Sequence, residues 1–127
     1  MKTLLLLGAI ALSINVYAQS TTTVKIVYDL EVMTEDLGEM SWDYAMETCE
    51  TLRFGWRLPT IEELKILYKN KDKIGGFVTT GDNYYYWSST EKNAYIVKAH
   101  QFDVSMTARE FNAPKTANYR VRAVRSK

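Results

Sequence analysis

Two side chains in this sequence of 127 residues could supply a nucleophile and a base: Cys49 and His100, each the single residue of its type. A thiol reacts as the thiolate, which forms in an exposed, electropositive setting or beside a base. Cys49 lies on the apolar side of a predicted helix, where a cysteine packs as a small hydrophobic residue. His100 could activate Ser88 or Ser89, but no third residue is spaced to orient it, and a strand histidine bonded to the backbone is the simpler interpretation. The sequence therefore favours a protein that is not an enzyme.

Ligands for a metal ion are also few. A zinc site needs three or four converging His, Cys or carboxylate ligands, and the chain has one His and one Cys. Calcium needs only oxygen ligands, which Asp82, Asn83 and Asp103 could provide, although Asp and Asn are equally typical of turns. Glu62 and Glu63 are adjacent in a predicted helix and point about 100° apart, so they do not form the carboxylate pair of a glycosidase. We predict neither a metal site nor a cofactor, and calcium binding is left open.

Recognition is the chemistry that remains, and its candidate residues lie in the second half of the chain. Four consecutive aromatic residues alternate between the two sides of a predicted strand, which places Tyr84 and Tyr86 in one row. That row could pack against a helix or offer a flat face on which sugar rings stack. Segment 109–118 has no clear period and is predicted to be an exposed loop, where Arg109 and Asn112 would donate hydrogen bonds to a ligand. The predicted ligand-binding residues are Tyr84, Tyr86, Arg109 and Asn112.

Charge is nearly balanced, with 16 Lys and Arg against 15 Asp and Glu. A chain without a basic run is a poor binder of nucleic acid, because such binding depends on displacing counterions from phosphates. The same balance argues against simple docking on anionic membranes. Arg120, Arg122 and Arg125 nevertheless form a cationic strand end, which could hold a sulfated or acidic glycan. The alternative is that these arginines form ion pairs with acidic residues of the same chain.

The elements that must position these side chains are one strand, two helices and then a sheet. Ser41 and Asp43 are typical of a helix start, and apolar residues follow them at helical spacing. Thr60 and Glu63 form a capping box that starts a second helix directly after Pro59. Later segments alternate in polarity and are joined by short turns, which predicts antiparallel strands. The predicted elements are a strand over 24–30, helices over 42–52 and 61–70, and strands over 84–89, 94–102, 104–108 and 119–124.

The first residues of the chain are predicted to be an export signal. Lys2 precedes an apolar core from Leu4 to Ile14, and Val16-Tyr17-Ala18 is typical of a signal peptidase site. This apolar run is too short to span a bilayer, so we predict no transmembrane segment. Export would place the protein in the periplasm, at the cell surface or outside the cell. The predicted organisation is a signal peptide over 1–18, a short leader over 19–23 and a single domain over 24–127.

Several short blocks of the chain occur in a characteristic order. They are Met40-Ser41-Trp42-Asp43-Tyr44-Ala45, Cys49-Glu50-Thr51-Leu52, Gly55-Trp56-Arg57-Leu58-Pro59-Thr60, Glu62-Glu63-Leu64, Tyr86-Trp87-Ser88-Ser89-Thr90 and Val121-Arg122-Ala123-Val124-Arg125. From about Met40 to Arg125 the chain thereby resembles the Lcl C-terminal domain family, a domain of unknown function. That family is similar to the Fibrobacter major paralogous domain and, more distantly, to the formylglycine-generating enzyme and C-type lectin-like folds. The resemblance implies an α+β domain with two helices packed on a small, irregular antiparallel sheet, and with Trp56 and Trp87 in the core.

The chain departs from the enzymes and the metal-dependent lectins among these folds. Formylglycine-generating activity depends on a pair of redox cysteines, and this chain has one Cys. The Glu-Pro-Asn and Trp-Asn-Asp types of motif with which lectins hold calcium and sugar are missing from the sequence. Our leading hypothesis is a secreted, non-enzymatic recognition or adhesion module, with glycans as candidate ligands. The alternative is a structural or assembly domain of the bacterial envelope that binds another protein, and the oligomeric state is left open.

Overall fold

The computed structural model describes residues 24–105 and 107–127. The predicted signal peptide and leader lie outside the described residues. No helix within the described ranges is long and apolar enough to cross a membrane. The helices are α1 (Trp42–Thr51), α2 (Ile61–Lys69) and the short α3 (Lys71–Ile74). The strands are β1 (Val24–Val27), β2 (Leu30–Met33), β3 (Glu39–Met40), β4 (Tyr85–Glu91), β5 (Ile96–Gln101), β6 (Glu110–Pro114), β7 (Tyr119–Arg120) and β8 (Val124–Ser126).

The strands form two sheets in the described part of the chain. The smaller has the order β1-β2-β8, and the larger has the order β3-β7-β4-β5-β6. Neighbouring strands pair antiparallel except β4 and β7, which are parallel. With the helices, this gives the α+β fold that the sequence predicts.

The two main helices start where the sequence predicts. Thr60 Oγ1 accepts a hydrogen bond from the Glu63 backbone N–H at 3.2 Å, and Glu63 Oε1 accepts one from the Thr60 N–H at 2.9 Å. The predicted capping box of α2 is therefore confirmed. The same carboxylate accepts two hydrogen bonds from the Arg57 guanidinium, at 2.6 and 2.9 Å. Arg57 thus fixes the extended segment that leads into α2.

Strand β4 lies between two hydrophobic cores. Successive side chains of a strand point to opposite faces, so Tyr86 and Trp87 enter different cores. Trp87 packs beneath α1, in a core that includes Trp42, Ala45, Cys49, Ala99 and Val121. Tyr86 packs beneath α2, in a core that includes Val32, Leu64, Leu67, Phe102 and Val124. The larger sheet is therefore covered on both sides at β4, and each helix holds one face of it.

Three predicted strands have different bounds in the structure. The strand predicted over 24–30 is the β1–β2 hairpin, because the chain reverses at Tyr28 and Asp29 and pairs Val27 with Leu30. The strand predicted over 104–108 is wrong, because its described residues, 104, 105, 107 and 108, belong to the connection between β5 and β6. The strand predicted over 119–124 is divided between the two sheets.

The predicted loop 109–118 is also wrong in its first half, which is strand β6. Asn112 and Pro114 suggested a turn, but Pro114 lies at the end of an edge strand, where no N–H is needed for a further partner. Between β7 and β8 the backbone instead bonds to the last residue of β2 and to the segment that follows it. The Val121 C=O accepts from the Leu37 N–H at 2.8 Å, and the Ala123 C=O accepts from the Met33 N–H at 3.1 Å.

A buried ion pair joins three distant segments. Arg122 is fully buried, and its Nε donates to Asp36 Oδ1 at 2.9 Å. Its Nη1 donates to the carbonyl oxygens of Met33 and Gly75, at 3.0 and 2.9 Å. The hydroxyl of Tyr86 donates to the other Asp36 oxygen at 2.7 Å. Arg122 therefore cannot contribute to a cationic surface, because Asp36 and the carbonyl oxygens of Met33 and Gly75 hold its guanidinium inside the protein.

Candidate functional site

The two residues with potential for nucleophilic chemistry lie in different cores. Cys49 projects from α1 into the core beneath it, and burial raises the pKa of its thiol to about 12, so the thiolate is not available at neutral pH. His100 lies on the side of the sheet that faces α2, with Nδ1 at 2.5 Å from the Gln101 carbonyl oxygen. Burial lowers the pKa of His100, which favours the neutral imidazole. Ser88 donates its hydroxyl to the Lys98 carbonyl at 2.6 Å. This geometry offers no Cys–His pair.

Acidic and cysteine or histidine side chains do not converge on a metal position in the part of the chain that the structure describes. Within residues 24–105 and 107–127, no three or more His, Cys, Asp and Glu side chains form a group that could hold a metal ion. Asp103 instead contributes its backbone carbonyl, which accepts a hydrogen bond from Tyr68 at 2.8 Å.

The four predicted ligand-binding residues are not brought together. Tyr86 is fully buried, and its hydroxyl also accepts the Val78 N–H at 2.9 Å, so of the two interpretations of this row Tyr86 follows the one in which it packs against a helix. The row is covered because α2 lies over that face of β4. Tyr84 is half-buried, with its ring centroid 4.8 Å from that of Tyr85. Asn112 is exposed on β6, and Arg109 is exposed just before it.

Tyr84 belongs to a group of half-buried rings at one end of the larger sheet. The Tyr85 ring centroid lies 5.3 Å from that of Phe111 and 5.1 Å from that of Tyr119. We call these four residues, Tyr84, Tyr85, Phe111 and Tyr119, the aromatic cluster. These rings are half-buried in part because each one packs against another ring of the cluster.

The predicted cationic strand end is neutralised within the chain. Arg125 contacts Glu31 through Nε at 3.0 Å and Nη2 at 2.9 Å, and its guanidinium lies 4.5 Å from the Trp56 ring centroid. Arg120 Nη1 lies 3.6 Å from Asp36 Oδ2, and its Nε donates to the Asn83 carbonyl. With Arg122 buried, the ion-pair interpretation of these arginines is the one that the structure supports.

Arg109 instead lines a concave site between α2 and the start of β6. This groove has a volume of about 450 Å³ and is lined by Lys65, Tyr68, Lys69, His100, Arg109 and Glu110. We call it the basic groove, because three of these side chains are cationic and one is a carboxylate.

The carboxylate of the basic groove is already shared between two lysines. Glu110 Oε1 lies 2.7 Å from Lys65 Nζ, and Oε2 lies 3.4 Å from Lys98 Nζ. The hydrogen bond from Lys65 is the main cause that lowers the pKa of Glu110, so this group is ionised at neutral pH. Among the residues that the structure describes, no carboxylate lies within 4.0 Å of Lys69 or Arg109. The groove therefore has an excess of positive charge.

The walls of the basic groove are tied to each other. Tyr68 projects from α2, and its ring lies 5.1 Å from the imidazole of His100 and 5.4 Å from the Phe102 ring, between centroids. Its hydroxyl bonds to Asp103 in the β5–β6 connection, and the Gln101 N–H donates to the Arg109 carbonyl at 3.0 Å. These contacts hold the helix, the connection and the strand in one arrangement before any ligand arrives.

Sequence reasoning found one residue of the basic groove and missed the others. Lys65 and Lys69 are four residues apart on α2, so the pattern does place them on one face of the helix. Two lysines on a helix face are usually just solvated. Their meeting with Arg109 depends on the pairing of β5 with β6, for which the sequence of α2 holds no signal.

Comparisons with known proteins address the fold. A sequence model described as the Lcl C-terminal domain matches residues 18–125. No curated protein matches the chain. The crystal structure of EMS16, an antagonist of the collagen receptor integrin alpha2beta1, superposes with a TM-score of 0.57 at 13% sequence identity. The match covers 82% of this chain and 97% of that C-type lectin-like chain.

Proposed function

Because the chain belongs to the Lcl C-terminal domain family and has a C-type lectin-like fold, we propose that it is a non-enzymatic recognition module whose basic groove binds an acidic glycan. The observation that carries this proposal is the excess of positive charge in a preformed concave site. Export by residues 1–18 to the periplasm, the cell surface or the medium belongs to the proposal, because glycans are abundant there.

The side chains of the basic groove suit a sugar ring that bears a carboxylate or a sulfate group. Arg109 can contact such a group through two N–H donors at once, and Lys69 adds a second, mobile charge. Tyr68 forms part of the wall beside these cations, because its ring already contacts the His100 imidazole and the Lys71 ammonium, which lies 4.3 Å from the ring centroid. Glu110 holds Lys65 in place and can accept a sugar hydroxyl.

A non-enzymatic role is supported by the chemistry of the buried groups. Cys49 is shielded in the core with a raised pKa, and His100 is held by the backbone. The basic groove contains a neutral imidazole and one ionised carboxylate that is already paired with lysines. Such groups can bind the anionic groups and hydroxyls of a ligand.

The alternative function is binding of another protein, and one observation favours it. The half-buried aromatic cluster is an apolar surface of the kind found at protein interfaces. EMS16, which has the same fold, is an antagonist of an integrin and so acts on a protein. An assembly partner would contact the aromatic cluster and leave the basic groove accessible, so the two functions predict different sensitive residues.

A binding experiment with two variants, each of which lacks two cationic side chains, tests the proposed function. The probes are a heparin-derived tetrasaccharide, which carries sulfates and carboxylates, and a hyaluronan-derived tetrasaccharide, which carries carboxylates alone. We expect the Lys69→Ala/Arg109→Ala variant to bind the preferred probe about 10-fold or more weakly by calorimetry, because each charged hydrogen bond contributes on the order of 1.5 to 3 kcal/mol. Comparing the probes identifies the anionic group.

The matched control removes two cations elsewhere. Lys92 and Lys127 are exposed and lie outside the basic groove, so the Lys92→Ala/Lys127→Ala variant has the same net charge as the test variant. Its affinity should stay within about twofold of wild type. Equal loss in both variants would show that only net charge matters, and an unchanged affinity in the test variant would place the site elsewhere.

A further inference from the structure

A second groove lies between the start of α1 and the β4–β5 hairpin, away from α2 and the basic groove. It has a volume of about 430 Å³ and is lined by Asp43, Tyr95, Ile96, Pro114, Lys115 and Thr116. We propose that this groove, which we call the neutral groove, is a binding site for an uncharged sugar ring. This second site goes beyond the proposed function, because its lining residues and its ligand differ from those of the basic groove.

The main feature of the neutral groove is an exposed aromatic ring. Tyr95 is 79% exposed, and it lines a groove that also contains apolar and charged side chains. Ile96 and Pro114 line the same groove, and we call these two side chains its apolar floor. An open tyrosine ring beside a small apolar floor matches the C–H face of a pyranose, which is flat and apolar.

The backbone that carries Tyr95 is fixed from both sides. Asn93 Oδ1 accepts the N–H groups of Tyr95 and Ile96, each at 2.9 Å. The Lys115 N–H donates to the Tyr95 carbonyl at 3.0 Å, which joins the hairpin to the segment after β6. The ring is therefore presented from an ordered turn, so binding costs little additional backbone entropy.

The charges at the neutral groove disfavour ions of either sign. Asp43 and Lys115 are opposite in charge, and Lys115 Nζ is held 2.9 Å from Glu91 Oε2 and 4.5 Å from the centroid of the Trp42 ring. An anion would meet the carboxylates of Asp43 and Glu91. A cationic side chain would meet the fixed ammonium group.

A neutral polyhydroxylated ring uses both kinds of polar group. Sugar hydroxyls can donate to the Asp43 carboxylate, which has no ion pair among the described residues. Ring and hydroxyl oxygens can accept from Lys115, whose ammonium group has three donors and uses one for Glu91. The Thr116 hydroxyl can donate or accept at the rim. An apolar floor with a few convergent polar groups is the usual composition of a small-molecule site.

Titration of the ¹⁵N-labelled full chain with glucose, galactose, mannose and N-acetylglucosamine tests this inference. At least one sugar should shift the backbone amides of Tyr95, Ile96 and Thr116 along a saturable curve, with a Kd on the order of 1 to 10 mM, a range typical of few contacts. The Tyr95→Ala variant should lose the saturable shifts, whereas Tyr95→Phe should keep them because the ring face remains.

Tyr28→Ala is the matched control, because Tyr28 is 76% exposed and lies on the β1–β2 turn, outside the neutral groove. It should bind the sugar as wild type does. The inference is overturned if none of the four sugars shifts these amides, if Tyr95→Ala keeps the saturable shifts, or if a triarginine peptide shifts the same amides more strongly than any sugar. The amide spectrum itself reports whether each variant is folded, and the basic-groove residues are unchanged in all of them.

Discussion

Replacing Arg122 by Met should lower the free energy of unfolding by about 3 to 5 kcal/mol, because it breaks a buried ion pair by removing one partner. The methionine keeps much of the side-chain volume but none of the donors. Asp36 would keep the hydrogen bond from the Tyr86 hydroxyl and the ion pair with Arg120, whose Nη1 lies 3.6 Å away. The carbonyl oxygens of Met33 and Gly75 would lose their donor. The Phe77 ring, 3.9 Å from the guanidinium carbon, would also lose its cation.

Arg125→Met is the matched control for this prediction, because the two arginines differ mainly in burial. Arg125 also pairs with a carboxylate and also lies over an aromatic ring, but its side chain is 29% exposed. The cost of its removal should therefore be lower, about 1 kcal/mol, because solvent reaches both members of this pair. Urea denaturation of both variants measures the difference, and equal costs would contradict the role assigned to Arg122.

Replacing Trp87 by Ala should lower the free energy of unfolding by about 3 to 5 kcal/mol, because it empties the centre of the core beneath α1. Trp87 is fully buried, its ring centroid lies 4.7 Å from that of Tyr119, and its indole N–H donates to the Met40 carbonyl at 2.7 Å. The substitution removes the contacts of the ring and leaves that carbonyl without its donor. For a domain of this size the midpoint of thermal unfolding should fall by about 12 °C or more.

Trp56→Ala provides the comparison, because the resemblance implied that both tryptophans are core residues. The structure shows Trp56 only partly buried, with the Arg125 guanidinium above its ring. Its removal should cost about 1 to 2 kcal/mol, in the ordinary range for a partly exposed side chain. Similar melting temperatures for the two variants would show that the core beneath α1 is not centred on Trp87.

Local signals in the sequence predicted the helices well. The capping box of Thr60 and Glu63 and the apolar stripe that includes Cys49 depend on residues within a few positions of each other. Interactions of that range are encoded in the segment itself. The order of the elements followed from caps, apolar spacing and alternation, and the family resemblance followed separately from the short blocks.

Alternation along the strands was misleading where the sheet is covered on both sides. Alternate side chains of a strand are exposed when only one face of the sheet is packed. Tyr86 and Trp87 are both buried because α1 and α2 cover opposite faces of β4. Burial of Arg122 has a different cause, because it depends on the partner Asp36, which lies 86 residues earlier in the chain. A contact of that separation depends on the complete fold.

The residues of the basic groove also differ in whether neighbouring residues in the sequence are enough to identify them. Arg109 was identified as a recognition residue from its own segment, although that segment is partly a strand. Lys65 and Lys69 belong to an ordinary amphipathic helix. Only the packing of α2 across β5 and β6 makes the three cations a single groove.

The most direct test of the basic groove is a chemical-shift map of the ¹⁵N-labelled chain with the heparin-derived tetrasaccharide. Our account predicts that the largest saturable shifts fall on Lys65, Tyr68 and Lys69 of α2 and on Ala108, Arg109 and Glu110, and that added salt weakens them. Shifts centred on the aromatic cluster or on Arg120 and Arg125, with the basic groove unaffected, would contradict the claim that this groove recognises acidic glycans.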